Sequence, residues 1–236
     1  MKSLYLIHLY QTPIFDQLRL EEALLRTDDR NFMIINHGSL RSIVMGFSGE
    51  PLRLLNLERV RRDSIPVIKR YSGGGTVVID ENTLFISMIF SKDCLSISAF
   101  PEPIMKWCYH LYQSAWNLPG FSLIDNDYAI QHHKCGGNAL YIRKDRWLHH
   151  TSFLWDYRDE NMDYLLLPQK QPAYRRERSH SDFLCRLKEH ALSIKDLIEQ
   201  MNRELVKRFY IRSISPDELL AIQQQEQRQT THLINF

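Results

Sequence analysis

Two glycine-broken stretches hold the residues whose types and spacing could do chemistry. In the first, VIKRYSGGGTVVID from Val67 to Asp80, an arginine, a serine and three consecutive glycines separate two runs of strand-forming residues. A tight hairpin needs only one or two glycines, which accept positive φ without steric cost. Each further glycine costs about 0.5 to 1 kcal/mol relative to alanine, so something besides the turn must require bare backbone. Exposed amide groups can point into one concavity and hold phosphate oxygens, with Arg70 adding a charged fork and Ser72 a hydroxyl. The GxxxxGK[ST] pattern of a phosphate loop is absent, and no helix obviously follows. Taken alone, the stretch reads either as a hairpin or as an anion or nucleotide pocket in a sheet. In the second stretch, HHKCGGNALYIRKDRWLHHTSFLWDY from His132, Lys134 stands just ahead of Gly136, Gly137 and Asn138. A lysine on a strand end with glycines behind it can lean into a pocket; otherwise it is an ordinary solvated cation. Nothing in the spacing of His132 and His133 makes them metal ligands, and no metal site is assigned.

These stretches need a sheet to position them. Period-2 alternation or short β-branched and aromatic runs predict strands at Lys2 to Tyr10, Phe32 to Asn36, Ser42 to Met45, Pro66 to Tyr71, Thr76 to Ile79 and Thr83 to Phe90, and again at Asp127 to Gln131, Asn138 to Arg143 and Arg146 to Trp155. TPIFDQLRLEEALLR offers Thr12 as an N-cap and Pro13 at the first helical position, with Glu21 and Glu22 mid-helix. A second helix is expected after Pro103 and a third over Ser193 to Phe209, where an apolar stripe recurs at helical spacing. SPDELLAI carries a capping box, with Ser215 as the cap and Glu218 three residues on. The polar tail QQQEQRQTTHLINF reads as a frayed helix or a docking end. Adjacent strand runs with few helices favour an α+β fold, with mixed or antiparallel sheets flanked by helices. The stretch from about Arg158 to Ser181, broken by Pro168 and Pro172, is the best candidate for a long functional loop.

Composition bounds the class. With 236 residues, 44% hydrophobic content and a formal net charge of +2, the chain fits an ordinary soluble protein. Lys and Arg are matched almost one for one by Asp and Glu, which leaves no nucleic-acid footprint. Cys94, Cys108, Cys135 and Cys185 show no CxxC spacing and are expected as reduced thiols in a cytoplasmic compartment. No apolar stretch approaches the roughly 20 residues needed to span a bilayer, and no membrane association is expected.

Together, R-Y-S-G-G-G-T-V and K-x-G-G-N-A followed by H-H-T-S resemble the catalytic module of the lipoate-protein ligase A family, within the larger group of biotin ligases and octanoyltransferases. FDQLRLEEALLR at the place of that family's first helix and IVMGFSGEP at its second characteristic stretch extend the resemblance from about residue 3 to residue 190. The details IFDQLRLEEALLR, NDY and HHTSFLWDY look most like the plant-type subgroup. The resemblance implies the biotin/lipoate protein ligase catalytic-domain fold over residues 1–190, with 191–236 as a helical extension of the same domain.

It also implies an activity. Lipoate, or octanoate, is activated with ATP and Mg²⁺ to an acyl-adenylate and passed to a lysine of a lipoyl domain. The acceptors would be the acyltransferase subunits of 2-oxoacid dehydrogenases and the glycine-cleavage H protein. Lys134 matches the family's central lysine and would touch both carboxylate and α-phosphate, supplying the charge that two mutually repelling anions require. Arg70, Ser72, Gly73, Gly74, Gly75, Thr76, Val77, Val78 and Asn138 would hold the nucleotide. Glu21, Arg70, Ser72, Lys134, Gly137, Ala139, His150 and Thr151 would line the acyl site, with His149 near the adenine or the acyl chain. Arg175, Arg176 and Arg178 would either steer acidic lipoyl domains or sit in a solvated loop.

Departures from the family pattern leave alternatives open. Ile79 stands before Asp80 where a histidine is common, and Phe47-Ser48-Gly49 replaces an Arg-Asn-Gln run. Ser193 to Phe236 is too short for the C-terminal accessory domain of two-part ligases, so a partner supplies it, the chain works without it, or it performs half of the reaction. One rival is an ATP-independent octanoyl or lipoyl transferase with a cysteine nucleophile, although Cys135, next to Lys134 on a strand, should face away from the pocket. The other is a catalytically silent scaffold that binds lipoyl domains.

Overall fold

The computed structural model describes residues 1–169 and 171–236. Its strands are β1 (Lys2–Tyr10), β2 (Phe32–His37), β3 (Ser42–Met45), β4 (Val67–Lys69), β5 (Thr76–Ile79), β6 (Thr83–Ser91), β7 (Phe121–Ile124), β8 (Asp127–Ile130), β9 (His133–Ile142), β10 (Arg146–Leu154), β11 (Phe209–Arg212) and β12 (His232–Ile234). The helices are α1 (Ile14–Thr27), α2 (Pro51–Leu54), α3 (Leu57–Arg62), α4 (Pro101–Trp116), α5 (His180–Phe183), α6 (Ile194–Val206) and α7 (Pro216–Gln224), with short 3₁₀ turns between β10 and α6.

Eight strands form one sheet in the order β11-β1-β2-β6-β10-β9-β8-β7, and four form a second in the order β12-β4-β3-β5. β1 runs parallel to β2 and β11, and β3 parallel to β4; the other pairings are antiparallel, as an α+β chain of hairpins and two crossovers requires. The central strands β2, β6 and β10 are apolar on both faces because both are covered. On one face Met33, Met88, Phe90, Trp147 and Phe153 pack under α4 and α6. On the other, Ile34, Ile89 and Leu148 meet α1, while Phe85 meets Val44, Ile68 and Ile79 of the small sheet. The small sheet thus lies against the large sheet beside α1, and their junction holds the site.

Several local expectations are corrected. Thr12 does not cap α1: Pro13 takes the cap position and the free amide of Ile14 is satisfied by Ser39 Oγ at 2.8 Å. Ser193 and Ser215 do cap α6 and α7, each accepting from the third residue on. β9 begins at His133, five residues before the expected Asn138, because its polar first half pairs with β8. β7 escaped notice because its turn uses Asp125 and Asn126 at φ 49° and 69°, without the glycine that usually marks a two-residue hairpin. Segment 191–236 is not only helical: β11 adds an edge strand to the large sheet and β12 pairs with β4. The tail is held there by the buried Glu22 carboxylate, which accepts from Thr230 N at 3.0 Å, Thr231 N at 3.1 Å and Arg26 Nη2 at 2.7 Å. Among the described residues no helix is long and apolar enough to cross a membrane.

Candidate active site

Strand alternation decides which side chains reach the junction. On β10, His150, Ser152 and Leu154 line it, whereas Phe153 packs into the core beneath α4 and Thr151 Oγ1 receives the Tyr112 hydroxyl from that side at 3.5 Å. His149 lies on that far face too. Neither of its ring nitrogens has a hydrogen-bond partner, and burial lowers its pKa to about 3, so it is a neutral core residue and not a substrate contact.

On β9 the same alternation would send Lys134 and Gly137 to opposite faces, and a bulge prevents it. Ala129 pairs with Lys134 but Tyr128 pairs with Gly136, leaving Cys135 as the extra residue. Cys135 turns into the core at 0% exposure, where burial pushes its thiol well up. Lys134 and Gly137 then share the cleft face, so closely that a Cβ on Gly137 would lie 3.3 Å from Lys134 Nζ. The ammonium is anchored by Asp127 Oδ1 at 2.7 Å. Asp127 Oδ2 in turn accepts from the Tyr174 hydroxyl at 3.1 Å. Burial and the neighbouring carboxylate push that hydroxyl well above its ordinary pKa, which keeps it a donor.

The glycine loop between β4 and β5 forms the facing wall. Its three glycines have different reasons. Gly74 sits at φ +99°, and a Cβ there would come within 2.7 Å of Arg70 Nη2, so the backbone itself demands glycine. Gly73 and Gly75 would place a Cβ in open space, with nothing within 4 Å. That leaves room beside their backbone for a ligand to approach. Arg70 organises the loop from behind: Nη2 donates to Gly73 O at 2.6 Å and Gly75 O at 2.9 Å, and Nε to Ser72 Oγ at 3.1 Å. Burial lowers its pKa to about 10, against the opposing pull of Glu21, so the guanidinium stays charged at neutral pH.

Three connected hollows open from this meeting point, each bordered by both Thr76 and Lys134. The outermost, about 380 Å³, is lined by Gly75, Asp125, Asp127, Arg175 and His180. An apolar one of about 90 Å³ lies among Val77, Val78, Leu154, Leu165 and Phe183. A third, about 100 Å³, runs inward past Arg70, Ala139 and Phe85 to His150. Thr76 Oγ1 is buried without a partner. At the inner end Glu21 Oε2 holds His150 Nδ1 at 2.9 Å, which turns His150 Nε2 away from the carboxylate.

Of the residues singled out from sequence, Lys134, Arg70, Gly75, Thr76, Val77, Val78, Gly137, Asn138, Ala139 and His150 border these hollows. Others do not. Ser72 is fully buried behind the loop, its hydroxyl accepting from Arg70 Nε; Arg70 borders the inner hollow while its Nη2 donates to the carbonyls of Gly73 and Gly75. Glu21 is fully buried behind His150. Asn138 borders the inner hollow but its side chain and that of Thr151 face away: Thr151 Oγ1 donates to Asn138 Oδ1 at 2.7 Å, and Asn138 Nδ2 donates to Asn126 O at 3.0 Å. Nor is Arg175 a surface residue. It is buried, stacks at 4.8 Å over Phe183 and donates to His180 Nδ1 at 2.9 Å. Arg178 donates to His132 O at 2.8 Å and Tyr174 O at 2.9 Å, which leaves Arg176 exposed. The segment carrying them folds over the cleft and is tied to Lys134 itself, whose carbonyl accepts from Cys185 N at 2.9 Å. Sequence reasoning missed Asp127 and His180 as cleft residues and gave Arg175 only an acceptor-steering or solvated role; the proline-broken polar loop was the available signal for the last two.

No group of three or more His, Cys, Asp or Glu side chains able to hold a metal exists among the described residues. Asp125 and Asp127 do line the outer hollow together, but Lys134 and Tyr174 take both Asp127 oxygens, which leaves Asp125 as the carboxylate for a Mg²⁺ that arrives on a nucleotide, since this ion usually takes one or two carboxylates plus phosphates.

A family model described as the lipoyl protein ligase A/B catalytic domain matches residues 13–212. Inactive lipoate–protein ligase 2 of Plasmodium falciparum is 27% identical over 244 residues, covering 78% of this chain and 63% of that protein. The chain spans less than two thirds of the length of the curated relatives it matches. The fold agrees with that of a crystalline lipoate-protein ligase A bound with ATP, at TM-score 0.71 and 18% identity over 94% of this chain and 93% of the other. It also agrees with a bi-partite lipoate protein ligase from Thermoplasma acidophilum, studied with its E2 lipoyl domain, at TM-score 0.74 and 19% identity over 94% and 91%.

Proposed function

The chain belongs to the family of lipoyl protein ligase A/B catalytic domains, and from that premise we propose that it joins lipoate, or octanoate, to a lysine of a lipoyl domain through an acyl-adenylate made from ATP. The observation that carries this reading is the Asp127-anchored ammonium of Lys134 on a cleft it shares with the glycine backbone at Gly75. In the first step a carboxylate oxygen of the acyl chain attacks the α-phosphorus of ATP, and pyrophosphate leaves. Both reactants are anions. Lys134 would lie between them and supply positive charge, and the open backbone at Gly73 and Gly75 would let phosphate oxygens approach to contact distance. Bound Mg²⁺, which Asp125 would hold together with phosphate oxygens, would add charge neutralisation for the leaving pyrophosphate. In the second step the neutral ε-amine of the acceptor lysine attacks the acyl carbonyl. The acyl–phosphate bond breaks, AMP leaves, and the amine gives its proton to solvent.

The acyl chain would enter the inner hollow past Ala139 and Phe85, where burial at about 25 cal/mol per Å² supplies affinity, and reach His150 held by Glu21. Acceptors would be lipoyl domains of 2-oxoacid dehydrogenases and the glycine-cleavage H protein. A thiol-based transferase gains no support: none of the cysteines borders the hollows around Lys134. The likeness to a ligase named inactive favours a second reading, a scaffold that binds lipoyl domains without turnover. Pyrophosphate release from ATP that requires lipoate or octanoate separates the two. Acyl-dependent release supports the ligase; release absent with both acids, while a lipoyl domain still binds, establishes the scaffold.

A further inference from the structure

His180 has no part in the mechanism above, yet it borders the outer and the apolar hollow, both shared with Lys134 and Thr76. It opens α5, whose first turn is capped by Ser179. Its Nδ1 lies 2.9 Å from Arg175 Nη2. A guanidinium can only donate, so Nδ1 must carry the lone pair and the neutral ring must carry its proton on Nε2. That nitrogen is buried and meets no protein acceptor. Burial, with Arg175 and Lys134 adding to it, lowers the pKa of the ring to about 4, which keeps it neutral through the physiological range. A buried N–H without a partner costs free energy unless a ligand satisfies it. Arg175 is itself pinned, by Phe183 beneath it and by Arg178 O, which accepts from its Nε at 3.0 Å.

Resting on the adenylation reading, we infer that His180 is a substrate-binding residue whose Nε2–H donates to the anionic acyl-phosphate oxygens beside Lys134, with Arg175 as the positioning residue that sets its tautomer. It acts as a fixed donor and not as a base, because taking up a proton would set a second cation against Arg175. The segment that closes over the cleft therefore carries a contact to the intermediate, paired with the ammonium on the opposite wall.

The test compares His180→Ala and His180→Gln with the unaltered chain. Gln offers an amide N–H near the position of Nε2, whereas Ala offers none. Affinity is measured by calorimetry for an octanoyl-sulfamoyl adenosine, a non-hydrolysable mimic of the acyl-adenylate, and lipoate-dependent pyrophosphate release is followed alongside. The expected result is a dissociation constant about 10- to 100-fold higher for Ala, the effect of losing one hydrogen bond to a charged group, with Gln recovering most of it. Equal affinity of the Ala variant and the unaltered chain overturns the inference, as does an Ala defect that Gln leaves wholly unrepaired. If the unaltered chain binds the mimic and the Ala variant does not, yet neither releases pyrophosphate, the role of His180 stands and the ligase reading falls. Absence of binding by the unaltered chain overturns both.

Discussion

Cys135 and Lys134 are neighbours in sequence and opposites in environment. The thiol is fully buried against Tyr128 O at 3.4 Å and pushed well up in pKa, so it is neither accessible nor a thiolate. Cys135→Ala should therefore leave acyl transfer to a lipoyl domain within about threefold of the unaltered rate, since a residue outside the cleft contributes no transition-state contact; abolished transfer would revive a cysteine nucleophile. Side-chain direction here was legible from sequence for Cys135, because adjacent strand residues alternate. For Gly137 it was not, because only the bulge, set by pairing with β8, brings it round to Lys134. What residue type could not show at Ser72 and Arg70 is their engagement with the loop itself: Ser72 Oγ accepts from Arg70 Nε, and Arg70 Nη2 donates to the Gly73 carbonyl.

The glycine loop combines two requirements that sequence could not separate. Gly74→Ala puts a Cβ at φ +99° and 2.7 Å from Arg70 Nη2, and should destabilise the fold by about 1–3 kcal/mol in chemical denaturation. Gly75→Ala meets open space and should leave stability unchanged or raise it by about 0.4–1 kcal/mol, while weakening nucleotide binding several-fold because its Cβ stands where phosphate would approach. A Gly75→Ala protein that binds ATP as the unaltered chain does would remove the argument for bare backbone. The strands on either side were legible from β-branched runs. The segment opposite was legible only as a long loop, since its folding over the cleft depends on Arg175, Arg178 and the backbone of Lys134, contacts far apart in sequence.

At the scale of the molecule, the tail and the cleft are joined through the small sheet. Glu22 holds Thr230 and Thr231, β12 continues onto β4, and β4 leads into Arg70 and the glycines. Burial alone would raise the Glu22 pKa, but bonds from Thr230, Thr231 and Arg26 carry it below the ordinary value of 4.5. A depressed carboxylate stabilises the fold above its unfolded pKa, and that contribution is lost as pH falls through the folded value. Glu22→Gln should then cost about 1–3 kcal/mol at pH 7 and progressively less below pH 4.5; an equal cost at pH 7 and pH 3 in denaturant titrations would contradict this. That coupling supports the wall which faces Lys134, and the central claim is that this wall and that ammonium together make an acyl-adenylate. Mass spectrometry of the nucleotide formed from ATP and octanoate, with no acceptor present, tests it most directly. The unaltered chain should accumulate octanoyl-AMP and Lys134→Ala should form it roughly 10²-fold more slowly or worse, in keeping with the loss of one preorganised charge contact. Octanoyl-AMP formed at the same rate by both proteins would contradict the account.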